Sequence, residues 1–424
     1  MPRKPEVPTS VHEVFKTQGP PTVTYVRQGG GIYERRLHEQ LDSSGTVCLL
    51  TGSSKTGKTT LCAKVMEERG VAALIVRCSD TLSAAEFWRA TLEKLDFARI
   101  NQLSSERQRN AKVGVGGSGE IGWKWLAGLK LETSAEISKA SSESEVRQRV
   151  LAEASQDHLV GVLKHLPIQF IVEDFHYLRP DVQKSVFQQL RTLVDNEISV
   201  LVVSTTHHTV DLAYANRDLI GRIALIELKS WAVEDLVEIA VEGFKCMKVY
   251  VPLEFSTAIA RESVGLPIVT QSICCRLLLD SGIKAPQTRL SHFPFTSKGL
   301  IEAMQRVAKE RYAPFEPYYE LLAGGPGRSG HRPSPCELVV AAFGLDPITF
   351  ELTVDMLLER ITKLGAPDGT GIASDELFAT LNGLGPLQDE LDIELLEWHA
   401  RTQHLYVLEP TFLYFLRWRV REQE

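Results

Sequence analysis

A chain of 424 residues, 43% hydrophobic and 24% charged, has the composition of a globular protein of two to three domains. Its formal net charge of −7 excludes a global attraction to nucleic acid or acidic lipid. Seven cysteines without C-x-x-C spacing, mostly inside apolar runs, point to buried thiols in a reducing cytoplasm and away from a zinc centre or disulfide framework.

The N-terminal stretch Met1–Pro8 has no apolar core, so no signal peptide is expected there. No apolar run approaches the ~18 residues that span a bilayer. Residues 1–30 are rich in Pro and Gly and read as irregular. Tyr33, Leu37 and Leu41 share one face of a short helix, and Val47–Leu50 is a buried strand. Gly52-Ser53-Ser54-Lys55-Thr56-Gly57-Lys58-Thr59 follows, then an amphipathic helix from Leu61 to Glu68. The pattern G-x-x-x-x-G-K-[ST] between strand and helix is a P-loop. Its glycines allow a tight turn, and successive N–H groups from Gly52 through Thr60 line a nest for phosphate oxygens at a helix N-terminus. Lys58 supplies the charge for the β- and γ-phosphates, and the Thr59 hydroxyl is a ligand for Mg²⁺. ATP and Mg²⁺ are the expected cofactors.

Ala72–Arg77 is a second strand, and Ala84–Leu95 a helix. Between them and the next strand lies an insertion, residues 104–145. Within it, residues 113–133 alternate apolar side chains (Val113, Val115, Ile121, Trp123, Trp125, Leu129, Leu131) with Gly, Lys and Glu, the period of a half-buried β-hairpin. Two strands alone are marginal in water, so the hairpin must pack on its own domain, another protomer, a partner or a membrane surface. We assign it to assembly or partner contacts.

Gln169–Val172 is a third strand and runs into Glu173 and Asp174. An apolar strand ending in two acids is a Walker B pattern, in which one carboxylate serves Mg²⁺ and the other polarises the attacking water. The usual order makes Glu173 the metal partner and Asp174 the base. The Glu-Asp order itself is uncommon and leaves the swapped assignment open; both acids are candidate metal ligands. His176 either orients this site or is structural. Pro180 opens a helix over Asp181–Asp195, and Val200–Val203 is a fourth strand. It ends in Ser204, Thr205 and Thr206, which act as a phosphate sensor or simply begin a loop; Thr206 is retained as catalytic. Arg222 precedes a fifth strand, Ile223–Leu228, and is a candidate arginine finger acting on a neighbour's nucleotide, or a surface Arg.

From Ala232 to about Gly282 the pattern is helical, and residues 284–296 and 324–335 read as linkers. The tail has helical patterns at Leu352–Leu364, Ser374–Leu384 and Glu390–Thr402, then the β-like run Leu405–Leu408 and an aromatic end. The expected fold class is α/β: a P-loop NTPase parallel sheet with a helical lid, followed by a mainly α winged-helix domain. The expected divisions are an arm covering the nucleotide (1–35), the ATPase core (36–228), the lid (229–285), a linker and helix (286–335) and the winged-helix unit (336–424). In that last unit acidic side chains far outnumber basic ones, which opposes phosphate neutralisation and favours protein contact over DNA.

The succession of P-loop, Glu173-Asp174 strand, Ser/Thr strand end, Arg222 before a strand, and helical lid resembles the AAA+ and STAND branch of P-loop ATPases. Ser263-Val264-Gly265-Leu266-Pro267 is similar to the Gly-x-Pro lid motif of STAND and origin-recognition-like members. Tyr25-Val26-Arg27, with Tyr33 and Leu37, resembles the element these ATPases place before the P-loop to cover the base. The end of the chain, from Leu405 to Trp418, is similar to the end of the winged-helix domain in prokaryotic members. The resemblance implies that Tyr25, Val26 and Pro267 border the nucleotide. It implies an ATP-driven cytoplasmic switch that self-assembles into a homo-oligomer and engages a protein partner. The alternative is a DNA-associated ATPase adaptor of origin-recognition or transposition-regulator type. Thr205-Thr206-His207 stands where STAND proteins often have Thr-Thr-Arg, and the lid has no evident second-sensor Arg, so slow hydrolysis is expected.

Overall fold

The computed structural model describes residues 8–97, 122–130, 142–205, 219–292, 295–324, 333–364, 372–389 and 394–419. The chain divides into two units. One consists of Ile32–Gly52 and Lys58–Leu228; the other of Met1–Gly31, Ser53–Gly57 and Lys229–Glu424. No described helix is long and apolar enough to cross a membrane.

The first unit is built on a parallel sheet of five strands: β1 (Val47–Thr51), β2 (Ala72–Arg77), β3 (Ile168–Glu173), β4 (Val200–Val203) and β5 (Ile223–Glu227). Their order is β2-β3-β4-β1-β5, so β4 lies between the P-loop strand and the acidic strand. Register is set by Val47 opposite Val200 and Phe170 opposite Val200. The helices are α1 (Ile32–Asp42), α2 (Lys58–Arg69), α3 (Ala84–Glu93), α4 (Trp123–Lys130), α5 (Glu143–Ala152), α6 (Gln156–His165) and α7 (Pro180–Asp195). Every residue of β1 and β4 is buried, as expected for parallel strands covered on both faces. Alternate side chains go to opposite faces. Val47, Leu49, Phe170 and Val202 meet Phe87, Trp88 and Phe187 of α3 and α7, while Cys48, Leu50, Ile171 and Leu201 meet Leu37 of α1 and Leu61 and Val65 of α2.

One expectation for this unit fails. Residues 123–130, assigned above to the second half of a β-hairpin, form the helix α4. Trp123, Leu126 and Ala127 fall at helical spacing and are buried with Phe97, Val146 and Val150 in the core of their own unit. Trp123 meets Phe97 edge-on at 5.5 Å, and the Arg147 guanidinium lies 5.4 Å from the Trp123 ring. An amphipathic face with a core to bury it is satisfied as a helix, and its backbone hydrogen bonds then need no partner strand. The rest of the expected hairpin, residues 113–121 and 131–133, lies outside the described residues.

The second unit is mainly helical. It contains α8 (Val233–Cys246), α9 (Leu253–Glu262), α10 (Pro267–Asp280), α11 (Ser297–Tyr312), α12 (Glu316–Ala323), α13 (Pro335–Phe343), α14 (Val354–Leu364), α15 (Ser374–Asp389) and α16 (Thr411–Trp418). A two-stranded parallel ladder joins β6 (Val249–Tyr250) to β7 (Ser291–His292), which falls inside a stretch read as linker. A three-stranded antiparallel sheet has the order β8 (Glu351–Thr353), β10 (His404–Val407), β9 (Leu396–His399). The helix expected over Glu390–Thr402 is therefore the strand β9 among its described residues. Gln388, 3% exposed, explains the change: its Oε1 accepts the N–H groups of Leu395 and Leu396 at 2.9 and 2.8 Å, and its Nε2 donates to Leu396 O at 2.7 Å. The helix α15 ends at Asp389, and Gln388 holds the returning chain extended for pairing with β10. Buried Arg360 performs a similar service on α14, donating to the carbonyls of Ala342, Leu345 and Pro347 at 3.1, 2.9 and 2.6 Å. Tyr414 of α16 is fully buried and its hydroxyl donates to Met304 O at 2.9 Å.

Candidate nucleotide site

In the sheet unit, β1 delivers the chain to Gly52 and α2 starts at Lys58. Gly52 has φ +133°, and a Cβ there would sit 2.4 Å from Leu228 O, so the position admits only glycine. Leu228 N–H in turn donates to Thr51 O at 2.9 Å, which closes β5 against the end of β1. Lys58 is buried, and its ammonium donates to Gly52 O at 2.7 Å. The ammonium is thus held over the turn that precedes its own helix. Thr59 is exposed at the same helix N-terminus.

Glu173 and Asp174 end β3 on the same carboxyl edge of the sheet, because β1, β4 and β3 are parallel. Glu173 is 3% exposed, and its Oε2 accepts from Arg77 Nε at 3.0 Å. The two residues face each other in the β2–β3 register. Asp174 takes φ +59°, a left-handed conformation that Asp tolerates better than most residues, and caps the single turn Phe175–Tyr177. That turn presents His176. Burial, with Lys58 adding a second push, lowers the imidazole pKa to about 4, so the ring is neutral near pH 7. Its Nδ1 accepts the Thr205 N–H at 3.4 Å, which places the ring proton on Nε2. Ser204 is buried at the end of β4. The unit therefore collects Lys58, Thr59, Glu173, Asp174, His176, Ser204 and Thr205 at one sheet edge. Thr206 lies outside the described residues.

Arg222 occupies the opposite edge. Its carbonyl accepts the N–H of Val47 at the start of β1, and its Nη1 pairs with Asp195 at 2.7 Å on the exposed surface. It is not among the residues gathered at the carboxyl ends of the strands.

The helical unit holds the remaining predicted residues. Thr56 is fully buried; its hydroxyl donates to Ser53 O at 2.8 Å, and its carbonyl accepts the indole N–H of Trp231 at 2.8 Å. Ser54 N–H donates to Leu408 O at 3.0 Å. Lys55 takes φ +62° and is exposed, and Gly57 takes φ +103° with the Trp231 ring 3.9 Å from its virtual Cβ. Val26 is buried with Leu236, Ile239 and Ala260, with Trp231 against them. Tyr25 lies beside it in sequence, its N–H donating to Thr22 O at 3.4 Å. Gln28 Nε2 donates to Lys229 O at 2.9 Å. Pro267 opens α10, where its missing N–H costs no helical bond. Gly265, at φ +72°, brings its carbonyl to Trp231 N–H at 3.0 Å, and a Cβ on it would meet Ser230 Cβ at 2.9 Å. The arm, the P-loop tip and the Gly265–Pro267 turn are thus joined through Trp231.

Sequence reasoning passed over Arg77, Trp231 and Leu408. For Arg77 the sequence showed only an Arg ending an apolar run; its pairing with Glu173 depends on the β2–β3 register. Trp231 and Leu408 had no signal.

Comparison with known proteins bears on the fold of the sheet unit. Residues 40–210 match the family described as AAA domain. No curated protein matches the chain. Among solved structures, the Walker-type ATPase PABY2304 of Pyrococcus abyssi is similar with TM-score 0.50 and 14% identity, over 95% of this chain and 99% of that one. The Orc1 protein of Aeropyrum pernix, solved in complex with DNA, gives TM-score 0.42 and 12% identity over 96% of this chain and 95% of that one. The RuvB Holliday junction branch migration motor of Thermotoga maritima gives 0.41 and 14%, over 94% and 100%. At 14% identity the likeness to the Pyrococcus structure is one of fold. Residues 40–210 carry an AAA-type P-loop ATPase domain.

Proposed function

We propose that the chain is an ATP-driven AAA+/STAND-like switch that self-assembles and engages a protein partner. One observation carries the reading: buried Lys58 and the paired acids Glu173 and Asp174 sit on the same edge of one parallel sheet, with the hydroxyl-bearing end of β4 between their strands. The backbone from Gly52 to Thr60 binds the phosphates. Lys58 exchanges its bond to Gly52 O for the β- and γ-phosphate oxygens. Thr59 and Glu173 would hold Mg²⁺, which supplies charge neutralisation on the transferred phosphoryl group. Arg77 orients the buried Glu173 carboxylate, and Asp174 accepts the proton of the attacking water. Neutral His176 fixes the Thr205 backbone beside them, and Thr206 follows as the sensor position. Tyr25, Val26 and Pro267 border the base side, and Arg222 acts in trans on a neighbouring protomer. The succession α13, β8, α14, α15, β9, β10 supports a winged-helix unit used for protein contact.

The test is Lys58→Ala. Titrated with a fluorescent ATP analogue, it loses binding while its melting temperature stays near that of the wild type; undiminished affinity in a folded variant refutes the site. Asp174→Asn keeps ATP binding and loses hydrolysis, whereas Glu173→Gln weakens the Mg²⁺ dependence. The reverse pattern exchanges the two roles. Mass measured with and without ATP tests assembly, and a strictly monomeric chain in ATP removes the trans role of Arg222.

A further inference from the structure

The helical unit contains a cavity of about 550 Å³ that none of the nucleotide-binding residues line. It lies among α8, β6, the start of α9 and the segment before β7. Its walls are Val241, Phe244, Val249 and Val251. Lys245, Lys248 and Arg289 also line it, with no carboxylate in the lining. Glu242 pairs with Lys245 at 3.2 Å on the same helix, and Lys248 donates to Thr288 O at 3.3 Å. Arg289 is exposed and has no bonding partner among the described residues. The cavity thus offers net positive charge around an apolar interior.

Two further observations point to a ligand. Ser256 lines the cavity, is 0% exposed, and its hydroxyl has no hydrogen-bond partner. Its neighbour Thr257 shows the usual escape, donating to Leu253 O at 2.8 Å, which Ser256 does not take with Pro252 O. A buried hydroxyl left in this state is destabilising, so an acceptor that reaches it from the cavity would recover that cost. The mouth is also apolar on the outside. Tyr250 is 49% exposed and Leu290 63%, and both line the cavity; Leu253, 64% exposed, opens α9 nearby in the chain. A small ligand inside the cavity would leave those side chains in water, whereas a chain lying across the mouth covers them.

The geometry points to this cavity as the docking site for an acidic, apolar peptide segment of a partner protein, with one large apolar side chain inserted and flanking carboxylates on Lys245, Lys248 and Arg289. This rests on, and makes specific, the partner-engaging part of the proposed function. It is independent of the nucleotide chemistry.

The test selects peptides from a random 16-residue display library on the full-length chain without nucleotide. Enriched sequences are expected to combine Leu, Phe or Trp with at least two Asp or Glu. A synthetic peptide from that set, followed by fluorescence anisotropy, should lose about tenfold or more in affinity on Arg289→Glu, and similarly on Leu290→Asp, since each removes the order of 1.4 kcal/mol. Both positions are exposed, so melting temperature and fluorescent-ATP binding should not change. A wild type that binds the peptide but not fluorescent ATP would strike the nucleotide reading and leave this one standing. Ser256→Ala separates ligand recognition from structure: it removes an unsatisfied hydroxyl, so the chain keeps or gains stability while the peptide binds more weakly. The proposal is overturned if no peptide enriches, if the enriched set is basic or indifferent to charge, or if Arg289→Glu and Leu290→Asp bind as the wild type does. It is also overturned if the wild type dimerises and Arg289→Glu is monomeric, which would seat a second copy of the chain there.

Discussion

Gly52→Ala probes the turn on which the phosphate cradle depends. At φ +133° an Ala is outside both common left-handed and right-handed regions, and forcing it there costs about 1–3 kcal/mol. The methyl would also lie 2.4 Å from Leu228 O and 3.2 Å from both Leu228 C and Leu228 Cβ. Two of those three atoms are backbone, so no rotamer change relieves the contact. The end of β5 must shift, and the Leu228 N–H bond to Thr51 O at 2.9 Å is the first to go, at about 1 kcal/mol. The sum is about 2–4 kcal/mol, or roughly 10 °C in melting temperature for a domain of this size. Gly70→Ala is the matched control in the same unit. Its φ of +58° is also left-handed, but no heavy atom lies within 4 Å of the added carbon, so only about 1 kcal/mol of backbone strain is expected. Urea denaturation of both variants measures the difference. If Gly52→Ala costs no more than Gly70→Ala, the close approach of Leu228 to the P-loop does not exist and the account of the turn is wrong.

Arg360→Met should destabilise the C-terminal elements by about 3 kcal/mol or more, because three carbonyls lose the donor they share inside the core. A denaturation midpoint within 1 kcal/mol of wild type would refute that packing. The cysteines should differ sharply in reactivity. Burial pushes the thiols of Cys48 and Cys78 up to about 12, and raises Cys62 and Cys274 as well. At pH 8, iodoacetamide should modify half-buried Cys246 first and leave those four intact until the chain unfolds, as read by digest mass over time. Modification of Cys62 as fast as Cys246 would mean that α2 is not packed on the sheet.

The parts of this fold that sequence could reveal are those whose physics is local. Val47–Leu50 and Val200–Val203 are continuous apolar runs because parallel strands are buried on both faces, and each run ends where polar residues begin. The P-loop is contiguous, so its glycines, Lys58 and Thr59 declare one another. Pairing across the chain is different. Arg77 reaches Glu173 over a separation of 96 residues, through a register that only the assembled sheet sets. Trp231 reaches Thr56 over 175 residues, and nothing in either neighbourhood signals the other.

The two misread segments fail for one reason. Ile121, Trp123 and Trp125 alternate, as a strand does, while Trp123, Leu126 and Ala127 repeat as a helix does, so the short apolar run satisfies both periods. A core containing Phe97, Val146 and Val150 selects the helical one. At Leu396–His399 the selection runs the other way. A stretch with helix-forming Leu and Glu is drawn into β9 because Gln388 occupies the backbone groups of Leu395 and Leu396 and β10 offers a partner strand. Intrinsic preference differs by a few tenths of a kcal/mol per residue, whereas a buried amide bridging three backbone groups contributes about 1 kcal/mol per bond. The tertiary contact therefore decides both segments, in opposite directions.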